Sequence, residues 1–125
     1  MKVIASTVSV VFTIIATAAL AQSGDATRGE RLFNQQCKAC HTVEKGGRNT
    51  IGPNLFGIGN TKAGEVPGFA FSPAMKSSKI KWTKANLVAF IQDPQKTVPG
   101  TRMPFGGLKN PQSAEAIADY LLSLK

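Results

Sequence analysis

The spacing of apolar residues predicts helices joined by long connections. From Asp25 to Gln36, the residues Gly29, Leu32, Phe33 and Gln36 recur at three- and four-residue intervals. This spacing places them on one face of a helix. Asp25 lies where its charge complements the positive end of the helix dipole.

A second helix is predicted after Thr83, which can act as its N-cap. Its apolar residues fall on one side: Leu87, Phe90 and Ile91. The Asp93-Pro94 dipeptide ends it, because the residue before a proline avoids helical dihedral angles.

A third helix is predicted from Asn110, an N-cap followed by Pro111 at the first helical position. Its apolar stripe contains Ile117, Tyr120, Leu121 and Leu124. Ser72-Pro73 opens one further short helix. No alternating strand pattern is present, so we predict an all-α fold with irregular loops.

Residues 1–21 are typical of a secretory signal peptide. Lys2 supplies a short positive region, an uncharged apolar run follows, and Ala19-Leu20-Ala21 places small residues where signal peptidase cuts. Cleavage before Gln22 would leave a single domain, residues 22–125. An uncleaved anchor is the alternative, since the uncharged stretch is long enough to cross a bilayer.

The composition restricts the class of protein. At 125 residues, the chain has room for one small domain and not for a multidomain enzyme. Its formal net charge of +8 suits nucleic acid, but an exported protein meets little of it. Acidic protein surfaces or anionic lipid are the better partners. The domain has little apolar material for a core, which favours a bound cofactor that completes it.

One motif carries the chemistry: Cys37-Lys38-Ala39-Cys40-His41. Two thiols three residues apart, followed at once by an imidazole, form the attachment sequence of c-type haem, in which the thiols join the porphyrin and His41 ligates the iron. A thioredoxin-type dithiol, a local disulfide and a zinc site are weaker alternatives. The chain lacks a βαβ pattern, and it has no other Cys or His to complete a zinc site.

The sixth iron position cannot be filled by a second histidine of the same chain, because His41 is the only one. The sixth position must then hold Met, Lys, a terminal amine, water or nothing. Without the leader, the methionines are Met75 and Met103. We favour Met103, because Pro99 and Pro104 flank it and stiffen its loop. Met75 on the short helix is typical of core filling.

With these residues in view, the chain resembles the class I c-type cytochromes over nearly the whole domain, and in particular the small mitochondrial-like members and the bacterial carriers similar to them. The matching stretches are residues 37–47, 52–55, 67–69 and 99–103, in family order. The resemblance implies the cytochrome c fold: three main helices, short helices and long loops around one haem c, which is held through Cys37 and Cys40.

The resemblance also implies roles for single residues. Pro53 would accept a hydrogen bond from the imidazole of His41, and Trp82 would donate its indole N–H to a haem propionate. Thr101 would hydrogen-bond at the same buried edge, and Phe105 would cover the haem edge near the partner surface. The terminal helices would pack together through Gly29, Phe33, Ile117 and Tyr120.

The function that follows is that of a soluble periplasmic one-electron carrier, a monomer without enzyme activity and without stable membrane insertion after cleavage. It would take electrons from a membrane cytochrome bc complex or a dehydrogenase and pass them to a terminal oxidase or another acceptor. Basic residues would steer acidic docking faces: Arg31, Lys38, Lys96, Arg102 and Lys109. A peroxidase-like enzyme or a gas-binding protein with an open sixth position is the alternative.

Overall fold

The computed structural model describes the backbone of residues 18–125 and the side chains from Ala26 onward. In this range the chain forms five helices: α1 (Ala18–Gln36), α2 (Pro73–Ser77), α3 (Lys84–Gln92), α4 (Pro94–Thr97) and α5 (Pro111–Ser123). The only β-pairing of the described residues is an isolated antiparallel bridge between Lys62 and Lys81. The all-α prediction is therefore confirmed.

The predicted leader and its cleavage site lie outside the residues whose side chains are described. The first helix nevertheless begins at Ala18 and not at Asp25. The residues between them include Ala19 and Ala21, strong helix formers, and no proline, and the helix continues through the weaker formers Ser23 and Gly24. No described helix is both long and apolar enough to span a membrane.

The three predicted helix starts are confirmed by their caps. Ser72 Oγ accepts a hydrogen bond from the Met75 N–H at 3.1 Å, and Thr83 Oγ1 accepts one from Asn86 at 3.3 Å. Asn110 Oδ1 accepts from the Ser113 N–H at 2.9 Å. Each cap satisfies a backbone donor of the first turn that has no partner within its helix.

The short helix α4 was not predicted. The Asp93-Pro94 dipeptide does end α3, as expected, but Asp93 Oδ1 also accepts a hydrogen bond from the Lys96 N–H at 3.1 Å. Aspartate followed by proline is a helix start as well as a helix stop. Here it does both.

Helices α1 and α5 cross at Gly29, as the resemblance implied. A Cβ atom on Gly29 would overlap the carbonyl oxygen of Ala116 and lie 2.8 Å from the Cβ of Tyr120. Beside this contact the rings of Phe33 and Tyr120 are 5.7 Å apart. Phe33 and Ile117 are each only 1% exposed. The crossing fixes the end of α1 from which the CxxCH segment continues.

Candidate functional site

A cavity of about 590 Å³ opens between the helices and the long connections. Its walls are mostly apolar. All eight residues that the sequence analysis assigned to a cofactor site line it: Cys37, Cys40, His41, Pro53, Trp82, Thr101, Met103 and Phe105. The fold thus brings residues that are far apart in the sequence together around one cavity.

The two cysteines lie on a turn that continues α1. The Cys37 N–H donates to the carbonyl oxygen of Phe33 at 2.8 Å, and the N–H groups of Cys40 and His41 both donate to the Cys37 carbonyl at 3.0 Å. Both cysteine side chains are half-buried at the wall of the cavity. The turn therefore presents both thiols and the imidazole to the same space.

Burial raises the pKa of the Cys37 thiol to about 11, and the neighbouring Cys40 adds to the increase. A redox-active dithiol requires the opposite, a pKa lowered toward neutrality so that the attacking thiolate forms. The thioredoxin-type alternative is thus disfavoured on chemical grounds. A zinc site finds no support either, because residues 18–125 contain no cluster of three or more His, Cys, Asp or Glu side chains placed for a metal ion.

A hydrogen bond to the backbone holds the imidazole of His41 in place. Its Nδ1 lies 2.8 Å from the carbonyl oxygen of Pro53, which can only accept, so Nδ1 carries the proton. Burial lowers the pKa of His41, while the bond to Pro53 acts in the opposite direction and is the smaller effect. The ring is thus favoured in its neutral form, with the lone pair of Nε2 free to bind a metal.

A rigid loop supports this arrangement. Asn54 donates from Nδ2 to Thr42 Oγ1 at 2.8 Å and to the Glu44 carbonyl at 3.0 Å, and its Oδ1 accepts from the Phe56 N–H at 3.1 Å. Asn49 Oδ1 accepts from the Asn54 N–H at 2.8 Å. Asn54, directly after Pro53, thus ties the loop to the segment that follows His41, and Asn49 is tied to Asn54.

Two more bonds extend this network. Asn49 Nδ2 donates to the Pro67 carbonyl at 2.9 Å, and Thr50 Oγ1 donates to the Cys40 carbonyl at 2.7 Å. The sequence analysis gave no role to these side chains or to Asn54. The matching stretch 52–55 was the only signal that pointed to this loop.

Both candidate thioethers line the same cavity. Met75 is buried on α2, and Met103 is half-buried in the loop that follows α4. Thr101 is buried beside Met103, and its Oγ1 accepts from the Met103 N–H at 3.4 Å. Gln95 Nε2 donates to the Thr101 carbonyl at 2.8 Å, which secures the start of this loop. Both methionines remain possible ligands from position alone.

The remaining walls are aromatic. Trp82 is only 6% exposed, and its ring lies 5.1 Å from that of Phe90. Phe69 and Phe71 form an edge-to-face pair with their centroids 4.8 Å apart. Phe105 is half-buried at the cavity wall. Such walls exclude water and suit a large, flat, apolar ligand.

The residues therefore fit a covalently bound haem. The CxxCH segment with its neutral imidazole lies on one wall, thioethers line the same cavity, and aromatic rings form the remaining walls. The donor set of nitrogen and soft sulfur suits iron in a tetrapyrrole.

Comparison with known proteins agrees with this conclusion. The model of the cytochrome c family matches residues 26–125. The chain is 43% identical over 103 residues to cytochrome c2 of Rhodoblastus acidophilus, which covers 82% of this chain and 95% of that protein. It is 42% identical over 98 residues to cytochrome c of Gibberella zeae, covering 78% and 92%.

A solved structure shows the same fold. Cytochrome cH from Methylobacterium extorquens superposes with a TM-score of 0.72 at 46% identity, covering 78% of this chain and 97% of that one. Together with the CxxCH turn on the cavity wall, these matches show that the chain belongs to the class I c-type cytochromes, small electron carriers, with one haem c attached through Cys37 and Cys40.

Proposed function

We propose that this cytochrome is a monomeric periplasmic carrier whose iron is held by His41 and Met103, and that it is not an enzyme. The observation that carries this proposal is the Pro53–His41 hydrogen bond of 2.8 Å, because it fixes the only imidazole of the chain in the tautomer that binds iron. When bound, haem c supplies an iron that exchanges one electron between its ferrous and ferric states.

The choice of Met103 as the second ligand is supported by its surroundings. Its loop is fixed on one side by the Thr101–Met103 contact and on the other by Pro104. Met75, in contrast, is 7% exposed within the apolar core cluster, where a methionine is explained by packing alone. A thioether opposite an imidazole stabilises the ferrous state and keeps small molecules from the iron.

The other cavity residues hold and shield the cofactor. Trp82 is buried and lines the cavity, and its indole N–H is proposed to bind a propionate. Buried Thr101, which also lines the cavity, is proposed to bind at the same edge of the cofactor. Phe105 is proposed to cover the cofactor edge near the partner. Because the apolar walls exclude water, little solvent has to reorganise when the charge of the iron changes.

Partner recognition is proposed at the opening of the cavity beside the CxxCH turn. Ile51 is 68% exposed there, the one exposed large hydrophobic side chain within the described residues. Lys38 and Arg102, also exposed, lie on the two segments that border the opening. A small apolar centre with cations around it suits an acidic docking face on a membrane cytochrome bc complex, a dehydrogenase or an oxidase.

Export is proposed from the leader-like residues 1–21. To test this, the full chain is expressed together with the cytochrome c maturation system, and the periplasmic fraction is separated from the membrane fraction. Intact mass should show one added haem and cleavage before Gln22, and size exclusion should give a monomer. A haem protein that retains the leader and stays in the membrane fraction would overturn the location.

The carrier assignment is tested by adding carbon monoxide to the reduced native protein. A closed iron with two protein ligands should not bind it at neutral pH. Rapid carbon monoxide binding would instead support an open-site enzyme or a gas-binding protein.

A further inference from the structure

The side chain of Gln95, on α4, forms hydrogen bonds across the turn that precedes Met103. Its Nε2 donates to the carbonyl oxygen of Thr101 at 2.8 Å, and its Oε1 accepts from the Gly100 N–H at 3.3 Å. A carbonyl can only accept and a backbone N–H can only donate, so one orientation of the amide satisfies both. A single side chain thus holds two consecutive residues, the second of which lies two positions before Met103.

Helix α4 gives Gln95 a fixed base. The helix is a single turn, and Asp93 caps it by accepting from the Lys96 N–H at 3.1 Å. Pro94 is fully buried at its first position, and Val98, which follows its last residue, is only 2% exposed. Because both ends of α4 are anchored, Gln95 ties the turn to the body of the protein.

The turn itself is closely packed. Gly100 has a φ of +92°, in the left-handed region that favours glycine, and a Cβ atom there would lie 3.1 Å from the Cβ of Ala74 on α2. The Thr101 N–H donates to the Val98 carbonyl at 3.0 Å, and Thr101 is buried. The two bonds of Gln95 are therefore made in a single compact arrangement of the turn.

Beyond the turn, the segment that contains Met103 has few attachments. Within the described residues, the one hydrogen bond made by residues 102–107 runs from the Met103 N–H to Thr101 Oγ1, and at 3.4 Å it is long. The next backbone bond joins the Leu108 N–H to the Ile91 carbonyl at 2.9 Å. Segments with few hydrogen bonds open at a lower free energy than the core does. The position of the Met103 thioether therefore depends on the attachments at the two ends of this segment.

We propose that Gln95 is a positioning residue for the iron ligand: its two hydrogen bonds keep the turn closed and so hold the Met103 thioether at the iron. This inference rests on the proposed function, in which Met103 is the second ligand. Gln95 is an exposed residue, so its contribution comes from these bonds and not from packing in the core.

The loss of both bonds should increase the population of the open state, in which the thioether has left the iron. We expect an increase of about tenfold, which corresponds to about 1.4 kcal/mol and lies within the range of two neutral hydrogen bonds.

The experiment titrates imidazole into the ferric holoprotein at a fixed neutral pH and follows the sulfur-to-iron absorption band. Imidazole binds the iron only after the thioether has left, so its apparent dissociation constant is inversely proportional to the open fraction. Gln95→Ala should lower that constant about tenfold. Hydrogen exchange gives a readout that does not depend on the iron: the Gly100 N–H should exchange faster in Gln95→Ala, because its acceptor is lost.

Gln95→Glu separates hydrogen bonding from side-chain size. Glutamate has the same length, but at neutral pH it only accepts, so it keeps an acceptor for Gly100 and loses the bond to the Thr101 carbonyl. The apparent dissociation constant of imidazole should therefore fall about three- to fivefold in this variant. If Gln95 only filled space, Gln95→Glu would behave like the wild type.

Three control variants complete the design. Gln112→Ala and Gln112→Glu make the same changes at an exposed position of α5, and they should leave the constant within about twofold of the wild type. Gly29→Ala disturbs the crossing of α1 and α5, so it shows whether a general loss of stability opens the iron. We expect its imidazole affinity to match that of the wild type.

The outcomes distinguish this inference from the proposed function. If Met103→Ala kept the absorption band, Met103 would not be the ligand, and both would be wrong. If Met103→Ala lost the band but Gln95→Ala bound imidazole like the wild type, only the positioning role would be wrong. That role would also be overturned if Gly29→Ala changed the affinity as much as Gln95→Ala, or if Gln95→Glu changed nothing.

Discussion

Gly52 lies against the imidazole ring of His41. A Cβ atom at residue 52 would be 2.5 Å from Cε1, 2.7 Å from Nδ1 and 2.9 Å from Nε2 of His41. The next residue, Pro53, accepts the hydrogen bond from the same ring at 2.8 Å. Two consecutive residues therefore set the position and the tautomer of the proposed iron ligand, one by lacking a side chain and the other through its carbonyl oxygen.

Gly52→Ala should disturb this contact. The added methyl group has to displace either the ring or the loop, and the loop is tied to Cys40 by the Gly52 N–H bond of 2.8 Å. We expect a loss of about 1–3 kcal/mol in the free energy of unfolding, together with altered His41 ring signals in the NMR spectrum. Denaturant titration measures the loss. Gly106→Ala is the control, since a Cβ there meets no atom within 4 Å. Equal effects of the two variants would contradict the proposed contact.

Gly29→Ala tests the crossing of α1 and α5. Alanine favours helix by about 0.5–1 kcal/mol over glycine, so an open site would gain stability. Here the Cβ would overlap the backbone carbonyl of Ala116, which cannot rotate away as a side chain would. We therefore expect net destabilisation of about 1–3 kcal/mol, measured by denaturant unfolding of the holoprotein. If Gly29→Ala were more stable than the wild type, α1 and α5 would be able to move apart at this crossing without a loss of stability.

The Asn54 side chain makes three hydrogen bonds within the loop that contains Pro53. Asn54→Ala removes them all, and we expect about 1–3 kcal/mol of destabilisation. Hydrogen exchange should accelerate at the Phe56 N–H, whose acceptor is lost. Asn34→Ala, at an exposed position of α1, is the matched control and should stay within about 0.5 kcal/mol of the wild type. If hydrogen exchange at the Phe56 N–H were unchanged in Asn54→Ala, the loop would not depend on the Asn54 side chain.

What could be predicted from sequence depended on how far apart the interacting residues are. Ser72, Thr83 and Asn110 cap helices through contacts three residues away, so their roles were readable from local sequence. The CxxCH turn is equally local. By contrast, the fit of Gly52 against His41 and the link between Asn49 and Pro67 depend on a tertiary arrangement that no local pattern encodes. The resemblance to a family supplied Pro53, which periodicity could not.

The only tyrosine of the chain should report on the charges around it. Burial raises the pKa of Tyr120 above its ordinary value of 10.0, and the carboxylates of Glu30 and Glu44 raise it further. The protonated hydroxyl is therefore favoured in the folded state. The resulting stability is fully present below pH 10 and is lost as the pH rises through the higher pKa of the folded protein.

Carbon-13 labelling of tyrosine gives one signal, and its titration midpoint should lie above 10.0. Glu30→Gln should lower that midpoint, whereas Glu115→Gln, which replaces a carboxylate that does not contribute to the shift, should leave it unchanged. Tyr120→Phe should lose less stability than the wild type as the pH rises past 10. A midpoint at or below 10.0 would exclude the proposed burial of the hydroxyl.

The assignment of the second iron ligand is tested by comparing two truncations. Met103→Ala should abolish the red sulfur-to-iron absorption band of the ferric protein and let carbon monoxide bind the ferrous form. It should also lower the midpoint potential by a sizeable part of the roughly 0.8 V range that axial ligands span. Met75→Ala should leave the band intact and cost about 2–5 kcal/mol of stability, because Met75 is a buried core residue.

Both methionines line the same cavity, so position alone does not say which one ligates the iron. Comparing the two truncations distinguishes the ligand from a methionine that only packs. A purely structural role for Met103 would reduce stability without opening the iron. If Met75→Ala removed the band and Met103→Ala did not, the ligand would be on α2 and the loop around Thr101 would only cover the site. If each variant kept the band, the other thioether would be able to replace it, and the cavity would hold two interchangeable ligands.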